Sequence, residues 1–73
     1  MKKTVSINDA LKLKEEAFKS YGTVVHFHDS CGGQYFTCED KLSADIKKFV
    51  TDYFKSIGMQ AHFAENGIQF WAE

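Results

Sequence analysis

The chain has 73 residues, of which 44% are hydrophobic and 15% aromatic, with five glycines and no proline. This length supports one small hydrophobic core, and the composition excludes a disordered or collagen-like chain. No apolar run approaches the ~20 residues of a membrane span, and the first residues lack the apolar region of a secretory signal. We therefore expect one cytoplasmic domain over residues 1–73.

The charge pattern argues against a nucleic-acid partner. Nine basic residues, all of them lysine, oppose ten acidic residues and give a net charge of −1. Nucleic-acid binding needs a row of basic side chains. Arginine, which binds phosphate through two parallel hydrogen bonds, is absent from the sequence. Lys47, Lys48 and Lys55 share one predicted helix, but Asp45 and Asp52 lie among them. This surface is typical of a solvated helix face.

The first predicted element is a helix that follows Ser6. Ser6 is a good N-cap residue, and Asp9 completes a capping-box pattern three positions later. Gly22 can adopt the left-handed backbone conformation that ends a helix. Apolar residues recur at helical spacing between these ends, at Ala10, Leu13, Ala17 and Tyr21.

Two strands follow, at residues 23–29 and 34–39, with Gly32 and Gly33 taking positive φ in the turn. Alternation places Val25, Phe27, Phe36 and Cys38 toward the core. Cys31 lies in the turn, ~13 Å along the strand from Cys38, whereas a disulfide needs Cα atoms within ~7 Å. Both thiols are predicted to stay free.

The second half repeats this pattern. A helix from about Ser43 to Gly58 carries an apolar stripe at Ile46, Phe49, Val50, Tyr53 and Ile57. Asn66-Gly67 then predicts a hairpin with a two-residue type I′ turn. That turn would pair Glu65 with Ile68, Phe63 with Phe70, and Ala61 with Ala72.

An internal repeat relates the two halves, residues 6–39 and 43–73. Phe18-Lys19-Ser20-Tyr21-Gly22 returns as Phe54-Lys55-Ser56-Ile57-Gly58 at an offset of 36, and the offset becomes 34 after the first turn. The elements then follow the order αββαββ. We expect an α+β two-layer sandwich, with two helices on one face of a four-stranded antiparallel sheet, which is a circular permutation of the ferredoxin-like fold.

Two strand orders remain open. Residues 34–39 and 68–73 occupy the centre of the sheet in the ferredoxin-like order, and residues 23–29 and 59–64 occupy it in the inverted order. Both strand orders satisfy the rule that crossover connections are right-handed. We favour the first because that fold is so widely used.

The sheet face away from the helices is the candidate binding surface. It collects all three histidines with aromatic and amide side chains and no lysine: His26, His28, Tyr35, Thr37, His62, Gln69 and Trp71. This composition suits a binding surface or a homodimer interface. The plainer reading is a partly exposed sheet whose rings cover one another.

Metal binding is a second hypothesis for this face. His26 and His28 point the same way from one strand, ~6.6 Å apart, and with a third ligand could hold Zn²⁺, Ni²⁺ or Cu²⁺. Cys31 and Asp29 are the nearby candidates for that ligand. His62 qualifies only in the inverted strand order, because the ferredoxin-like order places it ~14 Å away.

Catalysis through Cys31 is the weakest of the three hypotheses. A cysteine near His28 and Asp29 is reminiscent of a thiol nucleophile with its base. However, no helix N-terminus follows Cys31 to lower its pKa, and the chain is small for a buried substrate pocket. We therefore expect a protein that is not an enzyme.

The segment His28-Asp29-Ser30-Cys31-Gly32-Gly33-Gln34 resembles the Arg-Asp-Ala-Cys-Gly-rich signature of the RDAC-like family of small bacterial proteins. That family has no assigned activity, so the resemblance implies a bacterial protein of unknown role. The chain departs from the signature with His28 in place of arginine and Ser30 in place of alanine. An enzymatic role of that arginine would be lost here.

Overall fold

The protein is a small α+β fold, seen in a computed structural model that describes residues 4–30 and 33–73. Two helices and a four-stranded antiparallel sheet account for its elements. In chain order these are α1 (Ile7–Tyr21), β1 (Val25–Ser30), β2 (Gly33–Cys38), α2 (Ala44–Ser56), β3 (Ala61–Phe63) and β4 (Gln69–Ala72). Neither helix is long and apolar enough to cross a membrane, among the residues so described.

Local chemistry fixes the ends of both helices. The Ser6 hydroxyl accepts a hydrogen bond from the Asp9 amide at 3.1 Å, and Gly22 ends α1 with φ 65°, both as predicted. The Ser43 hydroxyl caps α2 in the same way. The C-cap of α2 is Ile57, one residue before the predicted Gly58.

The strands are arranged β1-β2-β4-β3, so the second strand of each hairpin lies in the centre. This is the order that the sequence analysis favoured. Phe36 of β2 lies opposite Phe70 of β4 where the two hairpins meet. The first strands, β1 and β3, therefore form opposite edges of the sheet.

The second hairpin keeps its predicted register but not its predicted turn. Ala61 pairs with Ala72, and Phe63 with Phe70. Residues 65–68 form a longer loop, in which the Gly67 amide donates to the Ala64 carbonyl, so the pairing of Glu65 with Ile68 is wrong. A type I′ turn needs positive φ at both central residues, and in the described residues only glycines have it.

The side chain of Asn66 explains this loop. Its carboxamide oxygen accepts hydrogen bonds from the amides of Ile68 and Gln69, at 3.0 and 3.2 Å. Such a side-chain bond stabilises an Asx-type turn without positive φ at Asn66. Gly67 alone then supplies the left-handed residue, with φ 78°.

The core lies between the helices and one face of the sheet. Phe36 and Phe70 stack there with ring centroids 5.0 Å apart, and Phe54 of α2 packs on both. The buried stripe of α2 runs through Ile46, Val50 and Phe54, whereas the predicted stripe left Phe54 out. The buried apolar residues are Val5, Ala10, Leu13, Ala17, Val25, Phe36, Cys38, Leu42, Ile46, Val50, Phe54, Met59 and Phe70.

Three side-chain hydrogen bonds, one from Tyr53 and two from Gln34, connect separate elements of this structure. The Tyr53 hydroxyl of α2 donates to the Asp9 carbonyl of α1 at 2.7 Å. The Gln34 side chain accepts a hydrogen bond at Oε1 from the Val5 backbone N–H at 2.7 Å, and its Nε2 donates to the Val5 carbonyl at 2.9 Å. These contacts fix α1 against α2, and the segment before α1 against β2.

Candidate functional site

The candidate site is the sheet face that the helices leave uncovered, which we call the open face. Because side chains alternate along a strand, the residues between the core positions must lie on it. The open face comprises all seven residues singled out from the sequence: His26, His28, Tyr35, Thr37, His62, Gln69 and Trp71.

A row of four rings crosses the open face from edge to edge. His28 lies opposite Tyr35 in the first hairpin, and His62 lies opposite Trp71 in the second. Thr37 of β2 lies opposite Gln69 of β4. The same register, continued by two residues on each strand, places Tyr35 opposite Trp71. The ring row is therefore His28, Tyr35, Trp71 and His62.

The ring row consists of two stacked pairs. The His28 and Tyr35 centroids are 4.6 Å apart with an interplanar angle of 12°. His62 and Trp71 are 5.7 Å apart at 16°. Within the described residues no ring contact joins Tyr35 to Trp71. Each central ring thus pairs with the histidine on its outer side, and the sides that face each other across β2 and β4 carry no stacked ring.

Polar groups lie beside the ring row on the same face. The His28 Nε2 and Thr37 Oγ1 atoms are 2.9 Å apart, which fixes the imidazole against β2. The Gln69 side chain is half-buried on the same face, and no buried side-chain nitrogen or oxygen in the described residues lacks a hydrogen-bond partner. The Gln69 carboxamide can both donate to and accept from a bound group.

Two histidine–glutamate pairs lie on opposite edges of the open face. His26 Nε2 lies 3.4 Å from Glu39 Oε1, and His62 Nε2 lies 3.9 Å from Glu73 Oε2. Both pairs are solvent-accessible, and each becomes an ion pair when its imidazole is protonated. The face therefore has acidic ends, and none of its seven residues is a lysine.

Sequence reasoning missed the role of these glutamates, although a signal for it was present. The strand partner of His26 is Thr37, and Glu39 lies two residues beyond, at a diagonal position that long side chains reach. Glu73 stands in the same relation to His62. The offsets that match His26 with His62 also match Glu39 with Glu73.

The predicted metal ligands are only partly brought together. His26 and His28 share one face of β1, but their imidazoles approach Glu39 and Thr37 respectively. His62 lies on the opposite edge strand, so it is not near them. No group of three histidine, cysteine, aspartate or glutamate side chains suited to a metal occurs in residues 4–30 and 33–73. Cys31, the proposed third ligand and weak catalytic candidate, lies outside the described residues.

Cys38 is a buried core residue with a free thiol. Burial raises the pKa of this thiol, because the apolar surroundings disfavour the thiolate. Cys38 is therefore a poor nucleophile at neutral pH and has a structural role.

Three comparisons, with known protein families, with curated proteins and with solved structures, gave no significant match to this chain.

Proposed function

We propose that the protein is a small non-enzymatic binding or regulatory module that binds its partner on the open face. The observation that carries this proposal is the ring row, in which two stacked pairs leave the facing sides of Tyr35 and Trp71 without a ring partner. Aromatic groups in this arrangement favour a flat ligand group that can pack against them. The half-buried Gln69 carboxamide on the same face can donate and accept hydrogen bonds.

The charges of the face favour a cationic aromatic group as the ligand. Glu39 and Glu73 place two carboxylates at its ends, and no lysine lies among its residues. A cation near the faces of tryptophan and tyrosine gains a further electrostatic attraction. An anionic ligand such as nucleic acid would instead meet like charge.

The test uses two probes with the same ring and opposite charge, phenethylamine and 3-phenylpropionate. Each is titrated at millimolar concentration into ¹⁵N-labelled protein, and the amide shifts are mapped. We expect the amine to shift β2 and β4 amides around Tyr35 and Trp71 in the wild type, but not in Trp71→Ala. Phe18→Ala removes an exposed ring elsewhere and serves as the matched control. Equal shifts by both probes, or unchanged shifts in Trp71→Ala, would contradict the proposal.

A second copy of the chain is another candidate occupant of the open face, and Trp71→Glu tests it. If two open faces associate, this change should convert the dimer to a monomer in a sedimentation experiment. The acidic ends disfavour such pairing, since two copies bring Glu39 and Glu73 into one interface. A monomer that the substitution leaves unchanged would rule out association by this face.

Metal binding remains the alternative function, and the spacing of His26 and His28 on one strand face supports it. Glu39 lies beside His26 but does not complete a three-ligand group with His28, so a metal here would need a further ligand. Zinc is titrated into the reduced protein while imidazole resonances are followed by NMR. Stoichiometric shifts at His26 and His28 that disappear in the double alanine variant would favour this alternative. If the rings do not respond, the metal hypothesis fails.

For the fold, we propose a duplicated αββ unit in the permuted ferredoxin-like arrangement. The strand order, with the second strand of each hairpin in the centre, supports this assignment. The two equivalent histidine–glutamate pairs support the duplication. The resemblance of residues 28–34 to the RDAC-like family assigns no activity and places no constraint on the ligand.

A further inference from the structure

A groove lies between the two helices, on the side of the molecule opposite to the open face. It encloses a space of about 540 Å³ between the last residue of α1 and one side of α2, and we call it the interhelix groove. Its lining residues are Tyr21, Asp45, Lys48, Phe49, Asp52 and Tyr53. The five from α2 recur every three or four positions, so they form one continuous stripe along that helix.

Three aromatic rings form the apolar wall of the interhelix groove. The ring centroids of Tyr21 and Phe49 are 5.4 Å apart with planes tilted by 50°, and those of Phe49 and Tyr53 are 6.3 Å apart at 34°. Tyr21 is 43% exposed, and the other two rings are half-buried. The Tyr53 hydroxyl donates to the Asp9 carbonyl of α1, which holds this ring between the helices. Because the rings are tilted rather than stacked, they leave part of one another uncovered beside the groove.

Two carboxylates form the polar rim of the groove. Asp45 and Asp52 are seven residues apart, so they lie two turns apart on the same side of α2. Within residues 4–30 and 33–73, the Asp45 side chain has no ion-pair or hydrogen-bond partner. Asp52 lies 3.8 Å from Lys48 Nζ, and both side chains are mostly exposed. Such a pair is weak, and two carboxylates against one ammonium leave the groove negative.

The lysines of the described chain do not lie over these three rings. The cation–ring contact found there joins Lys47 to Phe63, at 5.8 Å from Nζ to the ring centroid. Lys48 lines the interhelix groove but approaches Asp52 instead of a ring. Aromatic ring faces attract cations, and such rings with a carboxylate nearby are the groups that bind quaternary ammonium ions. The groove therefore combines the two features that an organic cation requires.

We propose that the interhelix groove binds a small quaternary ammonium compound, with its methyl groups against the three rings and its charge toward Asp45 and Asp52. A primary ammonium has three N–H donors that aromatic rings cannot satisfy as water does, whereas a quaternary ammonium has none to lose. An anion would meet like charge at the rim. The charge and the lining of the groove thus select the same occupant.

The helical walls favour a free small molecule over a methylated peptide. The backbone groups of α1 and α2 are hydrogen-bonded within the helices, so the groove offers no strand edge to a peptide backbone. Its size lies within the range of small-molecule sites. Because the groove is open on one side, it covers only part of the ligand, and we expect a dissociation constant in the millimolar range. This site is separate from the open face and does not rest on the proposed function.

The experiment compares choline with its uncharged carbon isostere, 3,3-dimethylbutanol, which has the same shape. Each probe is titrated at low salt into ¹⁵N-labelled protein, and the amide shifts are mapped. We expect choline to shift the amides of Tyr21 and of α2 between Asp45 and Tyr53, and the alcohol to bind about tenfold more weakly or not at all.

Three variants separate the rings from the charges. Tyr21→Leu removes the most exposed ring, and Asp45→Asn removes the unpaired carboxylate, so each should weaken choline binding about threefold or more. Lys48→Gln removes the competing cation and should strengthen choline binding, by about twofold. Glu15→Gln deletes a charge from α1 outside the groove and is the matched control, which should leave the affinity unchanged.

Several results would overturn the proposal. Equal binding of choline and the alcohol would show that the charge is not recognised. Choline shifts that persist in both Tyr21→Leu and Asp45→Asn would place the cation elsewhere, and shifts that vanish only in Trp71→Ala would assign it to the open face. A trimethyllysine peptide that binds this groove while choline does not would exclude the small-molecule occupant.

Discussion

Phe54 and Phe18 allow a direct test of how burial controls stability, because the same substitution can be made in the same local sequence. Both residues precede Lys-Ser near the end of a helix. The Phe54 ring is fully buried and contacts the rings of Phe36 and Phe70, whereas Phe18 is mostly exposed. Replacing a buried phenylalanine by alanine costs about 3–5 kcal/mol, through lost transfer free energy and the cavity that remains. An exposed position costs about 0.5 kcal/mol or less.

These magnitudes are large for a chain of this size. At ~0.05–0.15 kcal/mol per residue, 73 residues give a free energy of unfolding of about 4–11 kcal/mol. Phe54→Ala should therefore remove about a quarter of the stability or more, and Phe54→Leu, which leaves a smaller cavity, about 1–2 kcal/mol. Urea unfolding is followed by Trp71 fluorescence at submicromolar protein, where association does not contribute. If Phe18→Ala proved as costly as Phe54→Ala, the assigned orientation of α1 would be refuted.

Three further predictions concern single groups. Burial raises the pKa of the Cys38 thiol, so the unfolded chain loses this proton at a lower pH than the folded protein, and the free energy of unfolding should fall as the pH rises above about 9. In urea unfolding across pH 7–10, a Cys38→Ala variant should lose less stability than the wild type. Tyr53→Phe removes the hydrogen bond to the Asp9 carbonyl and should cost about 1 kcal/mol in thermal unfolding, and an unchanged midpoint would show that this bond contributes nothing. Gly22→Ala places a Cβ in open space but at φ 65°, so calorimetry should show a loss of about 1–2 kcal/mol from backbone strain alone; a neutral result would contradict the left-handed cap.

The sequence was informative wherever a local rule sufficed. Ser6, Asp9 and Gly22 mark the ends of α1 because capping depends on groups within four residues of one another. The register of the second hairpin also followed from alternation, since a shift by one residue would place Phe63 and Phe70 on opposite faces of the sheet. The turn itself was predicted wrongly, because the carboxamide of Asn66 competes with the backbone for the loop amides.

The open face was predictable as a set of residues but not as a chemical arrangement. Period-2 alternation assigns His28 and Trp71 to one face whatever the strand order. Their placement in one row depends on the β2–β4 register, which is a pairing between segments more than 30 residues apart. The exposure of Phe18 could not be predicted from the sequence either, because the rotation of α1 about its axis depends on how the helix packs against the sheet and α2.

Two hydrogen bonds between the Gln34 side chain and the Val5 backbone hold the N-terminal segment against β2. A single carboxamide supplies the acceptor and the donor that a neighbouring backbone would offer, 29 positions away in sequence. The Val5 side chain is buried in the core, so losing these two hydrogen bonds would expose apolar surface without disturbing either helix or the hydrogen bonds of the sheet. Local opening of the molecule should therefore begin here, and hydrogen exchange of the Val5 amide would report it before any other buried site responds.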